Sequence, residues 1–560
     1  MGLCDRLKRG FPKGSSGLLS NEEITGLRRD VQEHLAHQGI LKNVLVDPGQ
    51  PFALDLLEGL LQLCGDADSA LPSILREGVK SGVDNDIPAS SVFPTEDREA
   101  KLLPQPMGFG CCTENWASAD DAQQKVLELL QAEEAEGWVE RFPGTIADAE
   151  TRWPGKVAVG KLALVTVEGK DDRLVGDSKA CGASPAARFP ERAKHPTPAS
   201  LQEGLSRAWE AGETETDPWC AVTIDVKAAH KRIRMREQDG GLSLFQFMGI
   251  LWRFVVCHFG ASWSAFWYAR VGAALHRLLH RILWDVKHLA WVYVDDTLLL
   301  LRQSSALEST ALVLMLFAGL GVPLSWHKIA QGPEVPYLGL RVSAEKCSMG
   351  LPDDKVQKFL DFLNSLRSRN RSDRRSLQSF VGALQWASAV LQHLRPWLAA
   401  FYRCVNAAEH ASSRRVRISA AVVRSAKLWS AALRGGPLLL ACRSWAAWPG
   451  VAAADAWAAG DKAGVGGWWK PCPSTPWRSV FWFRLELTQD DLKHWIPLRG
   501  DLQKDIAFLE LLAQIALLVL KCRNQKNGLG GLGSIQWCDN TATVGACENL
   551  LVPETWFRCL

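Results

Sequence analysis

The sequence predicts a mixed α+β protein built from several domains, and three observations predict it. At 560 residues the chain is too long for a single core. Short apolar runs rich in β-branched and aromatic residues sit beside carboxylates: residues 291–294 lead into Asp295 and Asp296, and 298–301 lead away from them. Elsewhere, as at 355–366, the apolar residues recur with helical spacing.

Composition sets bounds. A hydrophobic fraction of 47% and a charged fraction of 22% are ordinary for a folded soluble chain. No apolar run reaches the ~18 residues of a membrane span; the longest, 311–324, is broken by Gly319, Gly321 and Pro323. The start lacks a hydrophobic signal region, so the expected location is intracellular. The 15 cysteines are scattered and include no CxxC pair. They read as reduced thiols, most of them buried as small apolar residues. Net charge is only +3, but it is unevenly spread. Residues 51–150 hold 6 Lys/Arg against 20 Asp/Glu, whereas 365–434 hold 13 Lys/Arg against 2 acids. The second region is suited to a polyanion.

Taken in order, residues 22–37 and 52–64 read as amphipathic helices and 80–95 as a linker. Residues 117–140 read as one helix, with Ser118 as N-cap and Asp120 and Asp121 in its first turn. Residues 161–167 and 173–176 read as two strands joined by a turn. Residues 220–224 form a strand that ends at Asp225. Seventy residues later comes a hairpin with Asp295 and Asp296 at its tip and both flanks buried. Residues 355–366 and 374–391 have helical spacing. From 446 onward two strands with a glycine turn, a third strand at 477–487, an apolar helix at 508–520 and a strand at 535–538 follow one another.

Carboxylates beside a core are costly unless something pairs with them. Two strand-end sites, Asp225 and Asp295–Asp296, can converge in a sheet and hold Mg²⁺, which prefers oxygen ligands. A two-metal site of this kind serves in-line phosphoryl transfer. The plain alternative is a solvated, Asp-rich turn.

The ordered set is more specific than any one motif. Asp225, then Phe259-Gly260, then Tyr293-Val294-Asp295-Asp296, then Trp326, Lys328 and Tyr337-Leu338-Gly339 resembles a reverse transcriptase of the retrotransposon and retrovirus type. The resemblance covers about residues 110–560. It implies a right-hand polymerase with fingers, a palm with an antiparallel sheet, and a thumb, followed by an α/β RNase H-like domain. The boundaries expected are an unassigned helical region at 1–90, a pre-palm helix and fingers at 91–217, a palm at 218–345, a basic thumb and connection at 346–444, and the RNase H-like part at 445–560.

The implied activity is RNA-directed DNA polymerisation, with an RNA template, a DNA primer, dNTPs and two Mg²⁺ ions, for which Mn²⁺ can substitute. Asp225, Asp295 and Asp296 would be the catalytic metal ligands. Arg173, with Asp177 and with Lys161 or Lys170, would lean over the incoming triphosphate. His230 stands where the family usually carries an aromatic ring that excludes a 2′-hydroxyl. Gly260 would allow close approach to the nascent base pair, although Ala265 stands where proline is common. Lys328, Arg367, Arg371 and Arg374 would hold the template–primer duplex. Asp455, Glu510 and Asp539 match the first three acidic residues of an RNase H set. The chain stops 21 residues after Asp539, so this part is expected to be truncated and inactive as an RNase H. The rival expectation is a decayed copy that binds nucleic acid without copying it.

Overall fold

The computed structural model describes residues 3–10, 17–84, 87–95, 108–167, 169, 171–212, 216–368, 370–410, 413–435, 438–442, 450–472, 474–493, 500–524, 538 and 543. It divides into two compact units. The first comprises Met1–Leu201, Glu213–Leu338 and Val342–Glu345, and the second holds the remainder.

In the first unit, helix α1 (Asn21–His37) opens with a capping box: Ser20 Oγ accepts from the Glu23 amide, and Glu23 accepts from the Ser20 amide. Helix α2 (Leu54–Leu63) buries Leu54, Leu57 and Leu61. The segment expected as a linker is instead pinned to the core. Ser81 donates twice to the buried Asp239, Ser90 donates twice to the buried Glu191, and Trp267 Nε1 donates to the Lys80 carbonyl at 2.7 Å. Short polar side chains satisfied by buried carboxylates carry no hydrophobic period, so sequence pattern is silent about them.

The helix expected at 117–140 is broken. A short turn, Ala117–Asp120, precedes α3 (Gln123–Ala135), and Trp116 takes the N-cap position. Ser118 is not the cap, because its hydroxyl accepts from the Leu164 amide of a neighbouring strand at 3.2 Å. Next come β1 (Val139–Arg141), β2 (Val159–Val165), β3 (Arg173–Asp177), β4 (Trp219–Asp225), β5 (Leu244–Phe247) and β6 (Ile250–Phe254). One five-stranded sheet has the order β1-β6-β5-β2-β3, antiparallel except where β2 meets β5.

Helix α4 (Ser262–Ile282), β7 (His288–Tyr293), β8 (Asp296–Arg302), α5 (Gln303–Gly319) and β9 (Ala330–Gly332) follow in the same unit. The second sheet, β7-β8-β4-β9, is antiparallel throughout. Side chains alternate between the faces of a strand. Cys220, Val222 and Ile224 of β4 and Leu299 and Leu301 of β8 therefore share one face. They join a core with Trp267 and Leu275 of α4, Leu314 and Phe317 of α5, and Leu35, Leu57 and Leu61 from the N-terminal helices. Strand β8 is buried almost throughout, whereas β7 is half-buried and Tyr293 is exposed, so only one flank of the hairpin is buried as expected.

In the second unit, α6 (Asp353–Ser368), β10 (Arg371–Asp373), α7 (Arg374–Ala387), α8 (Ala399–His410), β11 (Arg415–Arg417) and α9 (Ala420–Gly435) follow in turn, with β10 and β11 antiparallel. Strands β12 (Val451–Ala459), β13 (Lys462–Lys470) and β14 (Phe481–Thr488) form an antiparallel sheet, and α10 (Ile506–Asn524) packs on one face of it. Among the described residues no helix is long and apolar enough to cross a membrane. Fewer cysteines are core residues than expected: Cys181, Cys220, Cys257, Cys347 and Cys442 are buried, and the other described ones are at least partly exposed.

Candidate active site

Strand β4 places Asp225 opposite Asp296 of β8, and Asp296 in turn lies opposite Tyr293 of β7. Period two then puts this row on the sheet face away from the helical core. The hairpin between β7 and β8 is a two-residue turn, Val294 and Asp295. Val294 has φ +56°, a left-handed conformation that a β-branched residue adopts only under strain. Two contacts hold the turn. The Val226 amide donates to the Asp295 carbonyl at 3.2 Å. Gly272 of α4 passes beneath it, where a Cβ would stand 3.3 Å from the Val294 carbonyl oxygen.

Three carboxylates in one row repel each other. Burial, then the charges of Asp295 and Asp225 and a hydrogen bond to Asp225, pushes the Asp296 carboxyl up to about 7. Burial and Asp225 also raise Asp295, opposed by Lys328 and Arg173. Burial and the nearby aspartates raise the Tyr268 phenol, and burial with Asp296 raises that of Tyr337. The Tyr337 hydroxyl is buried with no hydrogen-bond partner among the described residues.

A site with this excess of negative charge suits a divalent, oxygen-seeking cation. The donor set fits Mg²⁺ in chemistry. It is not closed around one point: among the described residues no three His, Cys, Asp or Glu side chains stand together as a ready metal group.

Lys328 is expected on the duplex, but here it belongs to the carboxylates. The Ser325 amide donates to the Asp225 carbonyl at 2.9 Å, which docks the 326–328 turn, and Lys328 Nζ then donates to Asp225 Oδ1 at 3.1 Å. Arg173 opens β3, lies over the Phe259 ring at 5.6 Å and is close enough to lower Asp295. Lys161 does not join it. Its ammonium lies over Trp116 at 5.3 Å, opposite Asp177, four residues and ~13 Å along the hairpin from Arg173. Lys170 lies outside the described residues. Asp177 accepts from Trp116 Nε1 and from the amides of Lys179 and Ala180, so it shapes the turn after β3.

His230 sits edge-on to Phe259 and Tyr268, with ring centroids 5.2 and 5.8 Å away, and burial lowers it to about 4. It is a neutral ring at neutral pH. Gly260 has φ +100°, and the close approach it makes is to β3: a Cβ there would stand 2.2 Å from the Gly176 carbonyl oxygen. Glycine at 260 lets the Phe259 carbonyl accept from the Gly176 amide at 2.9 Å.

Sequence reasoning missed the support beneath this wall. Lys231 Nζ donates to Glu133 Oε1 of α3 at 2.5 Å, both side chains buried, with the ammonium over Trp138. Burial keeps Glu133 above the usual carboxylate range despite Lys231. His258 is buried against Phe254 and shares a 3.0 Å hydrogen bond with Ser178 Oγ. Neither pair has a local motif, since the partners lie 98 and 80 residues apart.

In the second unit, Arg367 ends α6, Arg371 begins β10 and Arg374 begins α7. The arginines are therefore not spaced along helices alone. The β10–β11 ribbon sets Arg371 opposite Arg417 and Asp373 opposite Arg415, and buries Val416 beneath. In the C-terminal sheet, Asp455 of β12 and Glu510 of α10 come together at the Ala456 amide, which donates to both at 2.9 and 3.3 Å. Asp539 lies outside the described residues.

Residues 188–342 match the family model described as reverse transcriptase (RNA-dependent DNA polymerase). The chain therefore carries a reverse transcriptase domain, a nucleotidyltransferase domain, over that stretch, which contains Asp225, Asp295, Asp296 and Lys328. No curated protein matches the chain. Among solved structures it is similar to the foamy viral protease-reverse transcriptase dRH in complex with double-stranded DNA, at 15% identity over 94% of this chain and 77% of that one, with a TM-score of 0.42. Foamy viral protease-reverse transcriptase with an RNA/DNA hybrid matches at 15% identity, over 94% and 60% of the two chains, with a TM-score of 0.43. The same protein with double-stranded DNA matches at 14%, over 94% and 92%, with a TM-score of 0.40.

Proposed function

We propose that this chain is the RNA-directed DNA polymerase of a retroelement, extending a DNA primer with dNTPs along an RNA template. One observation carries the reading: Asp225 stands opposite Asp296 at the end of an antiparallel sheet, on the face away from the helical core, with Asp295 in the adjoining turn. That row lies within a reverse transcriptase domain.

Asp225, Asp295 and Asp296 are the residues that would hold two Mg²⁺ ions, or Mn²⁺ in their place, and such ions neutralise charge on the attacking and leaving oxygens. Lys328 holds the Asp225 side chain in place until then. Arg173 supplies a guanidinium at the mouth of the site, where a triphosphate needs a cation to orient it. His230 presents an uncharged ring held by Phe259 and Tyr268, a rigid wall beneath the nucleotide sugar. If so, His230→Ala admits ribonucleotides more readily; unchanged discrimination removes His230 from this role. The paired arginines of β10 and β11 offer cations to duplex phosphates.

The test is primer extension by the purified chain on an RNA template with a DNA primer, in Mg²⁺ and in Mn²⁺, beside Asp295→Asn. Extension by the native chain alone supports the reading. Extension by neither, with duplex binding retained, favours a protein that binds nucleic acid without copying it. Equal extension by both sinks the assignment of the site.

A further inference from the structure

We propose that His276 and His280 form an open site for an imidazole-seeking transition-metal dication of the Zn²⁺ class, with His288 as the supporting partner of His280. The cluster lies where the end of α4 meets the start of β7, apart from the aspartate row. His276 and His280 are one turn apart on α4, so their side chains share a face. Their Nε2 atoms are 3.1 Å apart. Two nitrogens each ~2.0–2.1 Å from one metal ion stand roughly 3 Å apart, so the pair already has the spacing of a chelate.

A chain of hydrogen bonds decides which nitrogen offers its lone pair. His288 Nδ1 meets the Val286 carbonyl at 2.8 Å, and a carbonyl only accepts, so that nitrogen carries the proton. In neutral His288, Nε2 is then the acceptor in its 2.7 Å contact with His280 Nδ1, which carries the N–H. This leaves His280 Nε2 with a free lone pair aimed at His276. A metal-bound histidine ordinarily donates its other N–H to a fixed partner, and His280 has that arrangement in place before any ion arrives.

In the metal-free chain the His276 Nε2 proton fills the gap. Binding moves that proton to His276 Nδ1, with no net release. The nearby Arg277 is neutralised by Asp66 through two contacts of 2.6 and 2.8 Å. No third His, Cys, Asp or Glu joins the pair among the described residues. Imidazole nitrogen selects Zn²⁺, Cu²⁺ or Ni²⁺ over Mg²⁺, which separates this site from the carboxylates.

The full chain is titrated with Zn²⁺ by calorimetry in excess Mg²⁺. One Zn²⁺ per chain is expected, with a rise in melting temperature. His280→Ala, at an exposed position, should lose at least ~10-fold in affinity, and His288→Phe a comparable ~10–100-fold through loss of the supporting partner. Circular dichroism establishes that each variant is folded. Asp295→Asn should bind Zn²⁺ as the native chain does. The proposal falls if the native chain takes up no Zn²⁺, if His280→Ala binds it unchanged, or if Asp295→Asn abolishes uptake, since the ion would then sit on the carboxylates.

Discussion

Asp225 and Asp296 are direct cross-strand neighbours on β4 and β8, and Asp296 holds its proton up to about 7. Like charges placed directly opposite on a sheet are destabilising. In the unfolded chain the same carboxyl loses its proton near its ordinary value of 3.8. A carboxyl whose folded pKa is raised stabilises the fold only below its unfolded value, and that contribution is lost as pH rises through the folded pKa. The cost therefore grows between about 4 and 7. Asp296→Asn removes it without changing shape. The variant should melt higher than the native chain above pH 7 in the absence of metal, by on the order of 1 kcal/mol after screening, while losing extension. Melting curves in chelator check this; a lower melting temperature would mean that the carboxylate is structurally satisfied.

The same proton makes metal affinity depend on pH. Ligands bind cations in their deprotonated form, so Mg²⁺ must displace the Asp296 proton below about 7. Apparent Mg²⁺ affinity should fall as pH drops below that value and level off above it. Activity against Mg²⁺ concentration at several pH values measures this. A flat profile across the neutral range would contradict the crowding of the three aspartates.

Among the described residues of the β2–β3 hairpin, Arg173 is the one cation whose charge reaches Asp295. Charge-assisted hydrogen bonds contribute about 1.5–3 kcal/mol, so Arg173→Ala should raise the KM for dNTP by ~10–100-fold. Arg173→Lys should recover part of the loss, because charge returns without the planar fork. Lys161→Ala, which removes an ammonium lying over Trp116, should change KM little. The reverse pattern in steady-state kinetics would exchange the two roles.

The aspartate row was legible in part because it obeys local rules. Apolar runs ending in carboxylates put Asp225 and the Asp295–Asp296 pair at strand ends, but the turn falls one residue earlier than the expected tip, at Val294 and Asp295, so that Asp296 opens β8. What was illegible depends on long-range pairing. Lys328 looks like any exposed lysine until the Ser325 amide meets the Asp225 carbonyl. Gly260 was expected to face a base pair, yet the backbone it approaches is Gly176, 84 residues earlier in the chain. Ser118 carries an N-cap signature, but a strand amide reaches its hydroxyl instead. In each case the neighbour lies far away in sequence, where periodicity carries no information.

The ribbon of β10 and β11 places Arg371 beside Arg417, both exposed. A cation that neutralises one phosphate contributes close to one unit to the salt dependence of binding. Arg371→Ala with Arg417→Ala should weaken duplex binding about equally for all sequences and flatten the log affinity–log salt slope by ~2. Fluorescence anisotropy across a salt series reads both. An unchanged slope would show that the ribbon faces something other than phosphate.

Arg270 of α4 is buried and clamped by Asp68, with Nε to Oδ2 at 2.7 Å and Nη2 to Oδ1 at 2.5 Å, while its Nη1 donates to the Pro88 carbonyl at 2.6 Å. The one guanidinium thus ties two points of the N-terminal region to the helix that passes beneath the Val294–Asp295 turn. Removing one partner of a buried pair leaves the other charge uncompensated, at a cost of about 3–5 kcal/mol. Asp68→Ala should therefore destabilise the unit by that amount. Replacing both residues with apolar ones of similar size, Asp68→Leu with Arg270→Met, should cost much less than the single change, because no charge is stranded. Denaturant unfolding of the single and double variants separates the cases. If the double variant is as unstable as the single, the Pro88 contact rather than the ion pair holds the N-terminal region down.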